Sequence, residues 1–187
     1  MLRPSYAVEI GSKMLTSHTQ DVVRLEATLS IGLPIDAVEL LLVGGRQLLS
    51  KVDEPVTVSL GYDDALVKTF TGWLDSIEHG VTEARLVAFG RSRNLLYRRA
   101  NRVYINQSAG GIVRSLADEA TVDVKECEEG AVFPMYVIDD RLNMYEHVLD
   151  LADRCNFDVF MTPEGQLVFK PYTPTDPHTF SFGDDIV

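Results

Sequence analysis

The sequence predicts an α+β fold in which β-structure dominates. Three observations carry this. Several runs in the first half alternate apolar and polar residues, as strands with one buried face do. Two later segments repeat apolar residues at helical spacing. A third segment alternates on both sides of Pro163-Glu164-Gly165, a turn-forming trio.

Taken in order, "VVRLEATLSI" (22–31) sets Val23, Leu25, Ala27, Leu29 and Ile31 against Arg24, Glu26, Thr28 and Ser30, which predicts a strand. Residues 32–55 are punctuated by Pro34, Gly44-Gly45 and Pro55 and are compatible with either a short helix or a strand. "VTVSLGY" (56–62) alternates again. The acidic pair Asp63-Asp64 then leads to "KTFTGWLDSIE" (68–78), rich in Thr and aromatics. Gly72 within it predicts a bulge or a close backbone approach. The alternation turns Phe70 inward and Trp73 to the opposite face. "EARLVAFG" (83–90) is the next strand, and the four runs together predict an antiparallel sheet or barrel over residues 1–95.

The texture then changes. In "NQSAGGIVRSLADEA" (106–120), Ser108 is a capping residue, and Ile112, Val113, Leu116, Ala117 and Ala120 share one helical stripe. "MYVID" (135–139) predicts a strand. In "NMYEHVLDLADRC" (143–155), Asn143 and Glu146 have capping-box spacing, with Tyr145, Val148, Leu149, Ala152 and Cys155 on one face. "FDVFMTPEGQLVFKPY" (157–172) predicts a hairpin, and the tail to Val187 ends in what looks like the start of another strand.

The net charge of −11 is unevenly spread. Residues 1–117 hold 12 acids and 13 Lys/Arg, whereas residues 118–187 hold 16 acids and 4 Lys/Arg. Arg91, Arg93, Arg98, Arg99 and Arg102 fall within "RSRNLLYRRANR" (91–102). Such a cluster is either a solvated surface or a partner for carboxylates, within the chain or on a neighbouring copy. The longest apolar run, "AVELLLVGG", is too short to cross a bilayer and carries Glu39, so no membrane insertion is expected. The first residues lack the features of a secretory signal, which implies folding in the cytoplasm, with Cys127 and Cys155 both reduced.

Chemical signatures are missing. No phosphate loop or dinucleotide fingerprint is present, and "AGGIVRS" offers only an ordinary helix start. His18, His79, His147 and His178 are isolated, no CxxC occurs, and there is no GxSxG. His147 is expected to be an exposed or partly buried helix residue. Asp63-Asp64 and Asp139-Asp140 fit solvated turns better than catalytic pairs. Tyr97 and Tyr104 among the arginines could stack on bases, but the acidic balance opposes nucleic-acid binding. The expectation is a chain with no catalytic residue, no cofactor and no metal, and not an enzyme.

The order of five segments resembles a known family. "DEPVTVSLGYDD", "TFTGWLDSIEHG", a strand with "GRSRNLLYRR", "QSAGGIVRSLADEATVDV" and "NMYEHVLDLADRCNFDVFMTPEGQLVFKPY" are similar to phage baseplate hub proteins of the late-control-D family, over roughly residues 50–172. The hub portion of type VI secretion spikes is related to that family. The resemblance implies tube-like antiparallel β-barrel domains. Residues 1–95 would form the first, and 96–187 a second, partial one with helices near 108–120 and 143–155. It further implies a homotrimer that joins the hexameric tail tube protein to the trimeric central spike protein. DNA or effector cargo would pass through its lumen without specific binding. The location implied is the virion tail baseplate or an injection particle, assembled in the host cytoplasm.

In that setting Trp73, Asp63, Asp64 and the five arginines are candidate subunit contacts. Glu126, Glu128 and Glu129 are candidates for an anionic lumen. Family hubs continue beyond this hairpin, so the chain is expected to be a split hub completed by a second hub chain, a fragment, or a minimal member. Two competing readings stand beside it. One is a tail-tip hub or tube-initiating adaptor of a non-contractile tail. The other is a small cell-wall carbohydrate-binding or hydrolysing tail module, for which Trp73, Tyr62 and Phe70 would be the sugar platform.

Overall fold

The computed structural model describes residues 3–18, 21–29, 31, 35–43 and 50–173. The alternation of residues 56–78 becomes a hairpin of β5 (Pro55–Tyr62) and β6 (Ala65–His79). It turns through Asp63 and Asp64, both at positive φ (50° and 65°), which suits the twist of a two-residue hairpin. Five more strands complete the sheet: β1 (Pro4–Ile10), β2 (Lys13–Thr16), β3 (Val22–Thr28), β4 (Ala37–Val43) and β7 (Glu83–Gly90). All seven are antiparallel, in the order β2-β1-β5-β6-β7-β4-β3.

This sheet curls because β6 is bulged twice. Val58 pairs with Phe70 and Ser59 with Lys68, leaving Thr69 extra. Leu74 pairs with Ala88 and Ser76 with Val87, leaving Asp75 extra. Each bulge bends the strand and increases its twist. One face therefore folds over itself, and Val8 of β1 and Val38 of β4 share a core with Val58, Phe70, Leu74 and Leu86. Gly72 lies between Phe70 and Leu74. A Cβ there would stand 2.1 Å from the Phe89 carbonyl oxygen, so the close approach expected at this glycine is real.

The β-dominant α+β class holds, and of the expected sheet or barrel the described residues show a curled antiparallel sheet with no closed barrel. β2 and β3 end the strand order and are not paired with each other among the described residues. The strand expected over 22–31 is shorter, and its alternation slips. Val22 pairs with Leu42 and Arg24 with Leu41, so Val23 is a bulge and points outward. Val22 takes its place against the core, with Leu25 and Ala27. Leu29 and Ile31 lie past the strand end, exposed. The undecided segment 32–55 contributes β4, whose Val38, Leu40 and Leu42 point inward while apolar Leu41 and Val43 mask the alternation. Ser30, Pro34, Gly44-Gly45, His178 and the expected final strand lie outside the described residues.

Among the described residues the second half forms two small sheets and three helices and no closed barrel. A single helical turn, α1 (Arg93–Leu96), is followed by β8 (Arg102–Ser108), α2 (Ala109–Glu119), β9 (Val124–Cys127), β10 (Val132–Ile138), α3 (Met144–Cys155), β11 (Phe157–Met161) and β12 (Leu167–Pro171). β8 and β10 form a two-stranded antiparallel ribbon. β11, β12 and β9 form a second sheet in which β9 runs parallel to β12. Leu116 of α2, Leu151 of α3 and Phe169 of β12 sit at the centre of a separate core.

The helix starts follow the sequence. Ser108 Oγ accepts the Gly111 N–H at 3.1 Å. Asn143 Oδ1 accepts the Glu146 N–H at 2.9 Å, and Glu146 Oε2 accepts the Asn143 N–H at 2.7 Å. The buried face of α3 is turned from the expected one. Leu151 and His147 are buried, whereas Leu149 and Cys155 stay at the margin.

Candidate functional site

Two members of the arginine cluster, Arg91 and Arg93, clasp the two halves together, while Arg98, Arg99 and Arg102 bind within the second half. Arg93, with its side chain only 12% exposed, pairs with Asp53 and lies 3.6 Å from Asp75 on β6. Arg91 pairs with Asp123 at 2.9 Å, and its stem packs against Gly165, which turns at φ 77°. Arg102 reaches Glu119 at 2.7 Å, and Arg98 donates to the Glu119 carbonyl. Arg99 donates to the Asp140 carbonyl at 2.8 Å and meets no carboxylate among the described residues. Three of the five guanidinium groups are thus paired with carboxylates inside the chain, where a neighbouring copy was one of the expected partners.

The candidate acids also have local duties. Asp63 Oδ1 accepts the Arg3 N–H at 3.1 Å, and the Asp64 N–H donates to Ser5 Oγ at 3.1 Å, so the acidic turn is tied to β1. Glu126 pairs with Lys170 at 2.7 Å, which holds its carboxyl below the usual range. Glu129 is held by Ser108 and Arg114, with the same effect. Glu128 is exposed, and its N–H donates to the Phe169 carbonyl at 2.9 Å. Trp73 is half-buried on the outward face of β6, opposite Pro55 and Phe89. The structure does not bring these candidates to one place.

Sequence reasoning missed a partly buried polar network. Tyr136 of β10 donates to Asp150 Oδ2 at 2.8 Å, and Arg154 Nε donates to the same oxygen at 2.8 Å. His147 is buried beside it, not exposed. Its ring meets Tyr136 edge-on, and its Nε2 lies 3.1 Å from the Asp139 carbonyl. Burial, then the bond to Asp150, pushes the Tyr136 hydroxyl well up, so it stays a proton donor. Burial pushes the Asp150 carboxyl up, but the bonds from Arg154 and Tyr136 outweigh it and leave it lowered. An acid held ionised and a tyrosine held protonated make a structural brace between β10 and α3. Among the described residues, no three His, Cys, Asp or Glu side chains gather as a metal would require.

Two surfaces remain open. The outer face of the β8–β10 ribbon carries Val103 opposite Val137 and Ile105 opposite Met135. These side chains are 53%, 49%, 66% and 65% exposed respectively. The signal was in the sequence, since neither Val103–Ser108 nor Ala131–Ile138 contains a charge. The second surface is a cleft between β6 and the β11–β12 hairpin, lined among the described residues by Leu29, Ile31, Asp36, Phe160, Met161 and Pro163. It is bridged where Thr71 Oγ1 donates to the Pro163 carbonyl at 2.7 Å.

No protein-family model matches the sequence, and no curated protein matches it. Solved structures share its fold. The 43 kDa tail protein of prophage MuSo2 from Shewanella oneidensis superposes with a TM-score of 0.73 at 16% identity, over 92% of this chain and 56% of that one. A tail protein from Neisseria meningitidis MC58 gives 0.67 at 15% identity, over 89% and 51%. A chain of the Francisella PdpA-VgrG complex gives 0.54 at 11% identity, over 90% and 31%. The chain therefore spans about half the length of the two tail proteins. Among the described residues no helix is long and apolar enough to cross a membrane.

Proposed function

We propose that the chain is a structural component of a phage tail or a tail-derived injection particle, acting as a hub between tail tube and central spike. The observation that carries this reading is the extent of the likeness: 92% of the chain takes the fold of a prophage tail protein at a TM-score of 0.73. The order of segments that resembles the late-control-D hubs supports the same role. On this reading the curled sheet of the first half is the tube-like unit, and copies associate as a homotrimer. The particle is a virion tail baseplate or injection apparatus, and the role is architectural, without catalysis.

Co-expression with the tube and spike chains of the same particle tests this. The expected result is one complex holding all three, seen by electron microscopy as a ring at the tube end. A chain that binds neither, but retains or cleaves cell-wall sugars, would replace this reading with the carbohydrate module. Capture by a non-contractile tail-tip complex would favour the tail-tip hub.

A further inference from the structure

Independently of the role proposed above, we infer that the two halves are separate bodies that swing about the chain between Gly90 and Arg91. Arg93 is the latch that holds them together, and the cleft beside β6 is the mouth that the swing opens and closes.

The halves bury their apolar residues apart. One core is drawn from residues 8–88 and the other from residues 95–169, and no residue belongs to both. The half-buried apolar side chains divide in the same way: Tyr6, Leu60 and Ile77 pack on the first core, and Leu96, Phe157 and Met161 on the second. The sheets divide too, since β1 to β7 make the first and β8 to β12 the other two. Gly90, the last residue of β7, donates its N–H to the Asp36 carbonyl at 2.8 Å, inside the first half. Arg91 is already anchored in the second by Asp123 and Gly165, and Leu95 is buried in its core. Bodies joined by one such crossing move against each other unless a large apolar interface prevents it.

What crosses the seam is polar. Arg93 on α1 pairs with Asp53 and lies 3.6 Å from Asp75, and Tyr97 donates to Asp75 at 3.4 Å. Asp75 is the residue left extra by the second bulge of β6, so the bulge that curls the sheet also supplies the seam with this acid. Elsewhere on β6, Thr71 donates to the Pro163 carbonyl at 2.7 Å, and Lys68 attracts Glu164 on the hairpin turn. Thr71 and Asp75 stand about 13 Å apart on an extended strand, so these are two distinct points of contact. Arg93 is the stronger hold, because its side chain is 12% exposed and ion pairs gain strength as water is excluded. The cleft lies at the Thr71 point. Leu29, Ile31 and Phe70 of the first half form one wall, and Phe160 and Met161 of the second form the other. A swing at the crossing therefore changes its width.

A distance measured between the halves tests this. Spin labels go on Val81→Cys, at a fully exposed turn of the first half, and on Asp153→Cys, exposed on α3, in a chain that also carries Cys127→Ser and Cys155→Ser. Dilution with unlabelled chain leaves only distances within one copy. At about 0.01 M salt the distance should be single and narrow. It should broaden toward longer values near about 1 M, where the screening length has fallen from about 30 to about 3 Å. Arg93→Met should be broad at both salts, with far-UV circular dichroism unchanged because both cores stay intact. Arg99→Met should behave like wild type, since Arg99 binds within the second half. Should Arg93→Met lose structure, Asp53→Asn combined with Asp75→Asn removes the same attraction from the other side and should broaden the distance equally. A narrow distance in these variants at every salt would overturn the inference. A distance as broad in wild type as in Arg93→Met at low salt would overturn the latch.

Discussion

Tyr136 and Asp150 join β10 to α3 through a 2.8 Å hydrogen bond that is half-hidden from water, with the Arg154 guanidinium lying over the tyrosine ring. The bond joins residues 14 apart in sequence, and it adds to the contacts that the His147 ring makes with Tyr136 and that the Arg154 guanidinium makes with Phe133 between the same two elements. Tyr136→Phe removes the donor and leaves Asp150 to Arg154 alone. The expected loss is about 1–2 kcal/mol, the usual cost of unpairing a partly buried group. Urea melts of the two proteins at neutral pH measure it.

Acid should expose the same brace. The Asp150 carboxyl is lowered in the folded chain, so its contribution is complete above the unfolded value of about 3.9 and fades as pH falls through the lower folded value. Asp139, lowered to about 2 by hydrogen bonds from Arg141, acts with the same sign and lets go later. Stability from urea melts should therefore fall as pH drops below about 4. Asp150→Asn should flatten the first part of that fall. An unchanged slope in the variant would mean that the brace does not carry it.

The curled sheet depends on a missing side chain. Gly72→Ala puts a Cβ 2.1 Å from the Phe89 carbonyl oxygen, where backbone rather than a flexible tip must move. The cost should exceed the roughly 1–3 kcal/mol of ordinary overpacking, because the β6–β7 pairing itself is displaced. Trp73→Phe, one residue on but facing outward, should cost less. Thermal melts of the two variants side by side distinguish them.

Capping can be tested without touching either core. Asn143→Ala removes one half of the reciprocal bonds that start α3 and should cost about 1 kcal/mol. Asn143→Asp should restore nearly all of it, since aspartate accepts the same N–H.

What the sequence disclosed follows from which interactions are local. The caps at Ser108 and Asn143, the Asp63-Asp64 turn and the Pro163-Glu164-Gly165 hairpin were legible because each is complete within a few residues. The inward and outward sense of Phe70 and Trp73 was legible because β6 keeps strict alternation there. Val23 misled because a bulge against β4 reverses the pleat, and no local residue announces it. β4 was ambiguous because Leu41 and Val43 are apolar on the outward face. β8 and β9 were hidden by their pairing partners: β8 meets β10 some thirty residues on, and β9 pairs in parallel with β12. His147 could not be placed from α3 alone, since what buries it is Tyr136 on another element. Of the candidate contacts, the arginines were the least legible, because their partners Asp53, Asp123 and Glu119 are brought near only by the folded chain.

We propose that copies of this chain assemble with one another, and native mass spectrometry of the purified chain, from dilute to concentrated, measures whether they do. The result expected is a discrete species of three chains, each of 20.8 kDa, that persists on dilution. A single 20.8 kDa chain at every concentration would contradict it.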